Sequence, residues 1–189
     1  MAYRSAMRVI AGSARSLKLE IPKGVKMRPT SDMVREALFN SLGYRTIDCR
    51  FADLYAGTGA VGIEALSRGA AFCVFVEQNP RCVEALRANL ANTGFTEQAR
   101  IIRGDCLKRV DEIFRPEPPD IVFMDPPYRE SAEELLAAVV RLARQGGREC
   151  LVIVQCERGM EPSLPPDKAK RYGGTSLLYY EVEIGRLGL

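Results

Sequence analysis

The sequence predicts an α/β fold built on a doubly wound, mostly parallel sheet. Three observations carry that expectation. From about residue 49 onward, short apolar runs alternate with stretches of helical periodicity. Glycines and capping residues punctuate most of these changes. The first apolar run opens through Gly57-Thr58-Gly59 directly into a small-residue helix, the strand–turn–helix junction of such sheets.

Taken in order, Met7 to Ala11 and Leu17 to Ile21 flank a small polar turn and read as a hairpin. Arg28-Pro29-Thr30 breaks it. A helix then starts near Ser31 and Asp32, carries Val34, Ala37, Leu38, Ser41 and Leu42 on one face, and ends at Gly43. Phe51 to Tyr55 is a buried strand, and Ala60 to Arg68 is a helix closed by Gly69. Phe72 to Val76 is a second strand. Asn79-Pro80 supplies a cap and a proline at the first helical position, and Gly94 ends that helix. Arg100 to Arg103 is a third strand, with Asp105 capping a short helix to Phe114. Ile121 to Met124 is the fourth. Ser131 and Glu134 form a capping box that opens a helix through Ala143. Leu151 to Gln155 is the fifth strand, and Pro162 to Pro166 is a surface loop. Arg171-Tyr172 and Leu177 to Ile184 supply final strands; with no helix between them they run antiparallel to each other.

Composition narrows the chemistry. The chain has 189 residues, 47% of them hydrophobic and 27% charged, which suits one domain with a small appendage. No stretch reaches a membrane-spanning length, and the first ten residues carry no secretion signature, so a cytoplasmic protein is expected. Histidine is absent, which removes Ser-His-Asp and Cys-His catalysis and every histidine-containing metal site. The six cysteines include no Cys-x-x-Cys pair, and four lie in or beside apolar runs; buried reduced thiols and no metal are expected. The net charge of +3 conceals an asymmetry. Residues 1–28 carry seven cations against Glu20 alone, a net of +6, which leaves −3 for the remaining 161 residues. A basic arm on a slightly acidic body suits a polyanionic partner.

Three motifs carry chemistry. Asp53-Leu54-Tyr55-Ala56-Gly57-Thr58-Gly59-Ala60-Val61-Gly62 follows a strand and opens a helix, so a ligand can approach bare backbone. Glu77 ends the next strand, with Gln78 after it, and its carboxylate can accept from a ribose diol. Both NAD and S-adenosylmethionine present such an adenosine. Asp53 tilts the choice, because an anion there repels a pyrophosphate and attracts a sulfonium and an α-ammonium. Asp105, followed by Cys106, can accept from the adenine amine. Asp125-Pro126-Pro127-Tyr128 directly follows the fourth strand. A carboxylate and a backbone carbonyl can hold the two N–H bonds of an exocyclic base amine and turn its lone pair toward a methyl group. Tyr128 can stack on the base.

Arg28-Pro29-Thr30-Ser31-Asp32, the run Val34 to Asn40, the run Asp53 to Arg68 and Asp125 to Tyr128 together resemble the RsmD-type bacterial 16S ribosomal RNA guanine-N2 methyltransferases. The resemblance runs from Arg8 to the final strands and is most specific in the Arg-Pro-Thr block. It implies a seven-stranded Rossmann-like class I methyltransferase sheet over residues 29–189, with residues 1–28 as an RNA-contacting hairpin extension. It implies S-adenosyl-L-methionine as cofactor and one guanine of 16S rRNA as target, within a 30S subunit or assembly intermediate. By the family pattern Asp53 and the glycine loop, Tyr55 to Gly59, hold the methionine end, Glu77 the ribose, Asp105 the adenine, and Asp125 to Tyr128 the guanine. The family usually has glycine where this chain has Ser16, and arginine where it has Met33.

The expected protein is a monomeric rRNA methyltransferase. Arg8, Arg15, Lys18 and Arg28 are its expected phosphate contacts. An amino-methyltransferase acting on adenine N6 or cytosine N4, in DNA or another RNA, satisfies the same Asp-Pro-Pro-Tyr chemistry. An NAD-dependent oxidoreductase and a non-enzymatic RNA-binding module are the readings from other classes. Asp53 and the missing histidine weigh against the first, and the complete set of site residues against the second.

Overall fold

The computed structural model describes residues 7–25, 30–127, 129–160 and 162–183. Within them, seven strands form one sheet: β1 (Arg50–Leu54), β2 (Phe72–Glu77), β3 (Ala99–Arg103), β4 (Ile121–Met124), β5 (Cys150–Glu157), β6 (Lys168–Tyr172) and β7 (Thr175–Val182). Their spatial order is β3-β2-β1-β4-β5-β7-β6. The first five run parallel, and β7 lies antiparallel between β5 and β6. The doubly wound sheet expected from the sequence is therefore present. β6 is longer than the two residues read as strand, because its Lys168, Lys170 and Arg171 disguise an exposed edge.

Five helices cover both faces: α1 (Asp32–Leu42), α2 (Ala60–Ser67), α3 (Pro80–Thr93), α4 (Cys106–Ile113) and α5 (Arg129–Gln145). Alternate residues of each strand point to opposite sides. Phe51, Phe75, Phe123 and Ile153 face a core formed with α1, α2 and α3. Ala52, Leu54, Val122, Met124 and Val152 face a second core formed with α4 and α5. Burial on both faces is why these strands read as unbroken apolar runs. Three caps are those the sequence offers: Ser31 accepts from the Val34 N–H, Asn79 from Arg81, and Asp105 from Lys108. The sequence starts the fifth helix at Ser131, and the structure starts it earlier. α5 begins at Arg129, directly after the Pro126-Pro127 turn, so Ser131 and Glu134 both lie inside it.

The amino-terminal segment departs from a regular hairpin. It has one antiparallel bridge, Arg8 to Lys18, and a few bonds beside it, such as Val9 N–H to the Leu17 carbonyl at 3.0 Å. Contacts with α2 take the place of a longer ladder. The Glu64 carboxylate accepts the Ile10 and Ala11 N–H groups at 2.7 and 3.0 Å, and Ser13 N–H donates to the Ser67 carbonyl at 2.8 Å. Gly12 lies so close that a Cβ there would sit 1.7 Å from the Ser67 oxygen. Ser16 adopts φ 71°, the left-handed conformation that the usual glycine accommodates without strain. Met7, Val9, Ala14 and Leu19 join the first core, so the segment is docked on the body along its length.

All six cysteines are buried, and none is in a disulfide among the described residues, as the sequence suggests. Burial pushes the Cys49, Cys106 and Cys150 thiols up to about 12, which leaves them unreactive. No helix among the described residues is long and apolar enough to cross a membrane.

Candidate active site

Parallel strands deliver their chemistry to one edge. The loops after β3, β2, β1 and β4 line up along the carboxyl rim, and β5 continues the row. The strand order reverses between β1 and β4, and the crevice at such a switch point is where ligands enter α/β sheets. A small cavity of about 50 Å3 opens there, bordered by Asp53, Tyr55 to Thr58, Ala60, Val61, Phe123 and Asp125. Met7 and Thr30, from either side of the basic arm's junction with α1, close it. The sequence assigns Asp53, Tyr55, Ala56, Gly57, Thr58 and Asp125 to one site, and the fold brings them to one cavity.

The glycine loop is held by specific contacts. Gly57 has φ 57° and gives its N–H to Glu77 Oε2 at 2.8 Å. Gly59 has φ 81°, and a Cβ there would meet Leu86 at 2.2 Å. Gly62 lets α2 lie on β2, since a Cβ would meet the Phe75 ring at 2.2 Å. Tyr55 takes φ 62° without being glycine, a strained turn of the kind that gathers at functional loops. Thr58 is buried; its hydroxyl donates to the Met7 sulfur, and its carbonyl accepts from Asn89 Nδ2 at 3.0 Å. Asn89 Oδ1 also accepts the Glu20 N–H, tying arm, glycine loop and α3 together.

Asp53 is buried, and its Oδ2 accepts the Gly62 N–H at 2.8 Å. Desolvation, reinforced by the negative charges of Asp125 and Glu77, pushes its carboxyl up to about 7. Such a cluster favours a cationic ligand, and a pyrophosphate would deepen the repulsion. Glu77 is also buried; Oε1 accepts from Asn79 N–H at 2.7 Å while Oε2 holds Gly57. Each carboxylate oxygen keeps a second lone pair for a ligand hydroxyl. Gln78 is exposed beside it. Asp105 is exposed at the tip of α4, whereas Cys106 is buried with its sulfur against the Tyr55 backbone. These four stand farther along the rim and do not border the cavity. Among the described residues no group of three acids or cysteines could hold a metal ion.

Asp125 N–H reaches the Leu54 carbonyl at 3.5 Å, which fastens the Asp-Pro-Pro turn to the end of β1. Its Oδ2 accepts from Gln155 Nε2 at 2.8 Å. Pro126 is half-buried and Pro127 exposed, and Tyr128 lies outside the described residues. On the arm, Arg8, Arg15 and Lys18 are exposed, with Arg8 only 4.0 Å from the half-exposed Asp32 carboxylate. Arg28 also lies outside the described residues. Met33 is exposed on the first turn of α1.

Two residues carry more than their sequence context suggests. Gln155 reads as the end of an apolar strand, yet it grips Asp125. Arg35 reads as the polar side of α1, yet it is wholly buried. Its guanidinium donates to the Arg8 carbonyl at 2.8 Å, Asp32 at 2.7 Å and the Ala60 carbonyl at 3.4 Å, joining arm, α1 and α2. The spacing Asp32 to Arg35 is the only local signal for it. A larger cavity of about 380 Å3, between the proline-rich loop and β6–β7, is lined among the described residues by one cation, Arg171, and by no carboxylate.

The pattern of the family described as conserved hypothetical protein 95 matches residues 7–181. The ribosomal RNA small subunit methyltransferase D of Escherichia coli K12 is 36% identical over 162 residues, spanning 84% of this chain and 78% of that protein. A hypothetical protein of Thermus thermophilus superposes with a TM-score of 0.75 at 32% identity, covering 93% of this chain and 99% of that one. An RNA methyltransferase from Salinibacter ruber, solved with S-adenosyl-L-homocysteine, shares the fold at 18% identity. Its TM-score is 0.67, over 82% of this chain and 94% of that one.

Proposed function

The chain belongs to the conserved hypothetical protein 95 family, and from that membership we propose that it methylates the exocyclic N2 amine of a guanine in 16S ribosomal RNA, with S-adenosyl-L-methionine as donor. The observation that carries the reading is the meeting of Asp53 and Asp125 in one cavity at the β1–β4 switch point. Asp53 and the loop Tyr55 to Gly59 would hold the methionine end. Glu77 and Gln78 would lie along the ribose, and Asp105 and Cys106 beside the adenine. The buried carboxyl of Asp53, raised by desolvation and further by its anionic neighbours, fits the donor's positive charge.

When bound, the donor supplies an electrophilic methyl group on a sulfonium. The work of this chain is positioning. Asp125 accepts one amine hydrogen and turns the nitrogen lone pair toward the methyl carbon, while Pro126 and Pro127 stiffen the turn that aims it. The nitrogen–carbon bond forms as the carbon–sulfur bond breaks, and the proton then lost from nitrogen passes to Asp125 or water. Tyr128 would stack on the base. The division of labour we infer gives residues 1–28 to RNA and 29–189 to chemistry. Arg8, Arg15, Lys18 and Arg28 are the proposed phosphate contacts.

The deciding experiment maps methylated nucleosides in 30S particles from cells lacking the protein, before and after incubation with it. N2-methylguanosine at one site of 16S rRNA is the expected product. N6-methyladenosine or N4-methylcytidine, or methylation of DNA instead, would replace the reading with its amino-methyltransferase alternative. Binding to those particles should weaken by about tenfold or more between roughly 50 and 200 mM salt if the arm neutralises several phosphates; a flat response would remove the arm's assigned role.

Donor affinity should also depend on pH. Only ionised Asp53 attracts the donor, so affinity should fall about tenfold from pH 8 to pH 6, through the carboxyl's value near 7. Stability of the unliganded protein runs the other way. The folded state binds the Asp53 proton more tightly than the unfolded state, so this contribution is complete below about pH 4 and is lost as pH rises through 7. Asp53→Asn should therefore raise the Tm at pH 8 and abolish the pH dependence of donor binding in titration calorimetry. A pH-independent wild-type affinity would contradict both.

A further inference from the structure

Gln155 is more than 90% buried near the end of β5, and its two amide atoms are treated unequally. Nε2 donates to Asp125 Oδ2 at 2.8 Å, whereas Oε1 is buried with no hydrogen-bond partner among the described residues. A buried acceptor left alone carries its full desolvation cost, and such atoms in a native fold call for an explanation. The amide cannot relieve this by turning over. An ionised carboxylate only accepts, so the flipped amide would set oxygen against oxygen at Asp125. Asp125 therefore fixes Oε1 as an acceptor on the far end of the same amide.

Two acceptors thus stand together beside the turn that meets the base. Bases differ in what they show beside the reactive amine. Guanine presents its N2 amine next to N1–H, two neighbouring donors. Adenine presents N6 next to an unprotonated N1, and cytosine presents N4 next to an unprotonated N3; each pairs a donor with an acceptor. Only the guanine edge satisfies both oxygens.

We infer that Gln155 is a specificity-determining residue, whose Oε1 accepts the N1–H of the target guanine while its Nε2 holds Asp125 to the amine. The inference rests on the guanine-N2 reading above and supplies a physical cause for it. With adenine or cytosine, Oε1 would face a lone pair. Asp125 borders the cavity of about 50 Å3 and Gln155 stands behind it, outside the border; the cavity is smaller than a purine, so the side chains around it must part to bring the base against this pair.

The test uses 30S particles reconstituted with guanine or 2-aminopurine at the mapped nucleotide. 2-Aminopurine keeps the N2 amine but has no hydrogen on N1. The wild-type protein should methylate guanine about 10–100-fold faster than 2-aminopurine. In Gln155→Leu the guanine rate should fall by about that factor and the 2-aminopurine rate by much less, so the preference collapses. Gln155→Glu, protonated toward Asp125, keeps an acceptor and should retain most of the preference. S-adenosyl-L-homocysteine binding reports whether each variant keeps the donor site. If Gln155→Leu loses that binding, the Gln155→Glu preference decides: retention supports the inference and collapse overturns it. Equal losses on both bases would mean that Gln155 only positions Asp125, and the inference would fail while the guanine reading stood. Methyl on adenine or cytosine in wild-type reactions would instead remove the guanine reading itself.

Discussion

Asp125→Ala should reduce methyl transfer by about 1,000-fold or more while changing S-adenosyl-L-homocysteine affinity by only a few fold. The asymmetry follows from where the residue stands. Asp125 sits at the end of β4, across the switch point from Asp53, and is held by Gln155 and the end of β1. The glycine loop and Glu77 are fixed through other contacts: Gly57 to Glu77, Gly62 to Asp53, Thr58 to Asn89. Removing the Asp125 side chain therefore leaves the donor's cradle standing. What disappears is the acceptor that orients a weakly nucleophilic amine and can take its proton. Single-turnover transfer and calorimetry on the same preparation separate the two effects. Retained transfer would remove Asp125 from the reaction, and a matching loss of donor affinity would make it a cofactor ligand instead.

Arg35→Ala should destabilise the fold by about 3–5 kcal/mol, the usual result of breaking a buried, hydrogen-bonded charge network. The guanidinium reaches Arg8, Asp32 and Ala60 at once, and its removal leaves two carbonyls without that donor. Its Nε has no partner among the described residues, so the native arrangement already carries a desolvation cost. In a chain of this size the loss corresponds to a Tm roughly 10 °C lower. Arg35→Lys should recover little, because one ammonium cannot reach three acceptors in that fork. Hydrogen exchange at the Ile10 and Ala11 amides, which Glu64 protects, should accelerate as the arm loosens. A change below about 1 kcal/mol would mean that the contacts with Glu64, Ser67 and Asn89 hold the arm without Arg35.

These predictions differ in how visible their residues are in the sequence. Asp53, the glycines and Asp125 announce themselves because each sits in a run where strand, turn and helix follow one another. Pairing of Asp53 with Asp125 is also legible in outline, since a doubly wound sheet puts its switch point beside the first strand. The long-range contacts of Arg35, Glu64, Asn89 and Gln155 are not legible, because those partners lie 25 to 69 positions away. No periodicity within a helix or strand reports such a contact. The hairpin is present but short and irregular for the same reason. Its alternation is real, but Glu64 and Ser67 of α2 compete for the backbone groups that a regular ladder would use. Ser131 fails locally, since α5 starts as soon as the proline turn allows.

The sequence by itself determined the order of strands and helices, most of the caps, the glycine loop and the acidic turn, because each is written in neighbouring residues. It also determined the charge division between arm and body. Only the tertiary structure decided which strands adjoin, that the arm is docked along α2, and that a glutamine ending an apolar strand presents a lone acceptor beside Asp125. Those outcomes depend on buried polar groups finding partners across the fold, and the cost of leaving one unpaired is set in three dimensions.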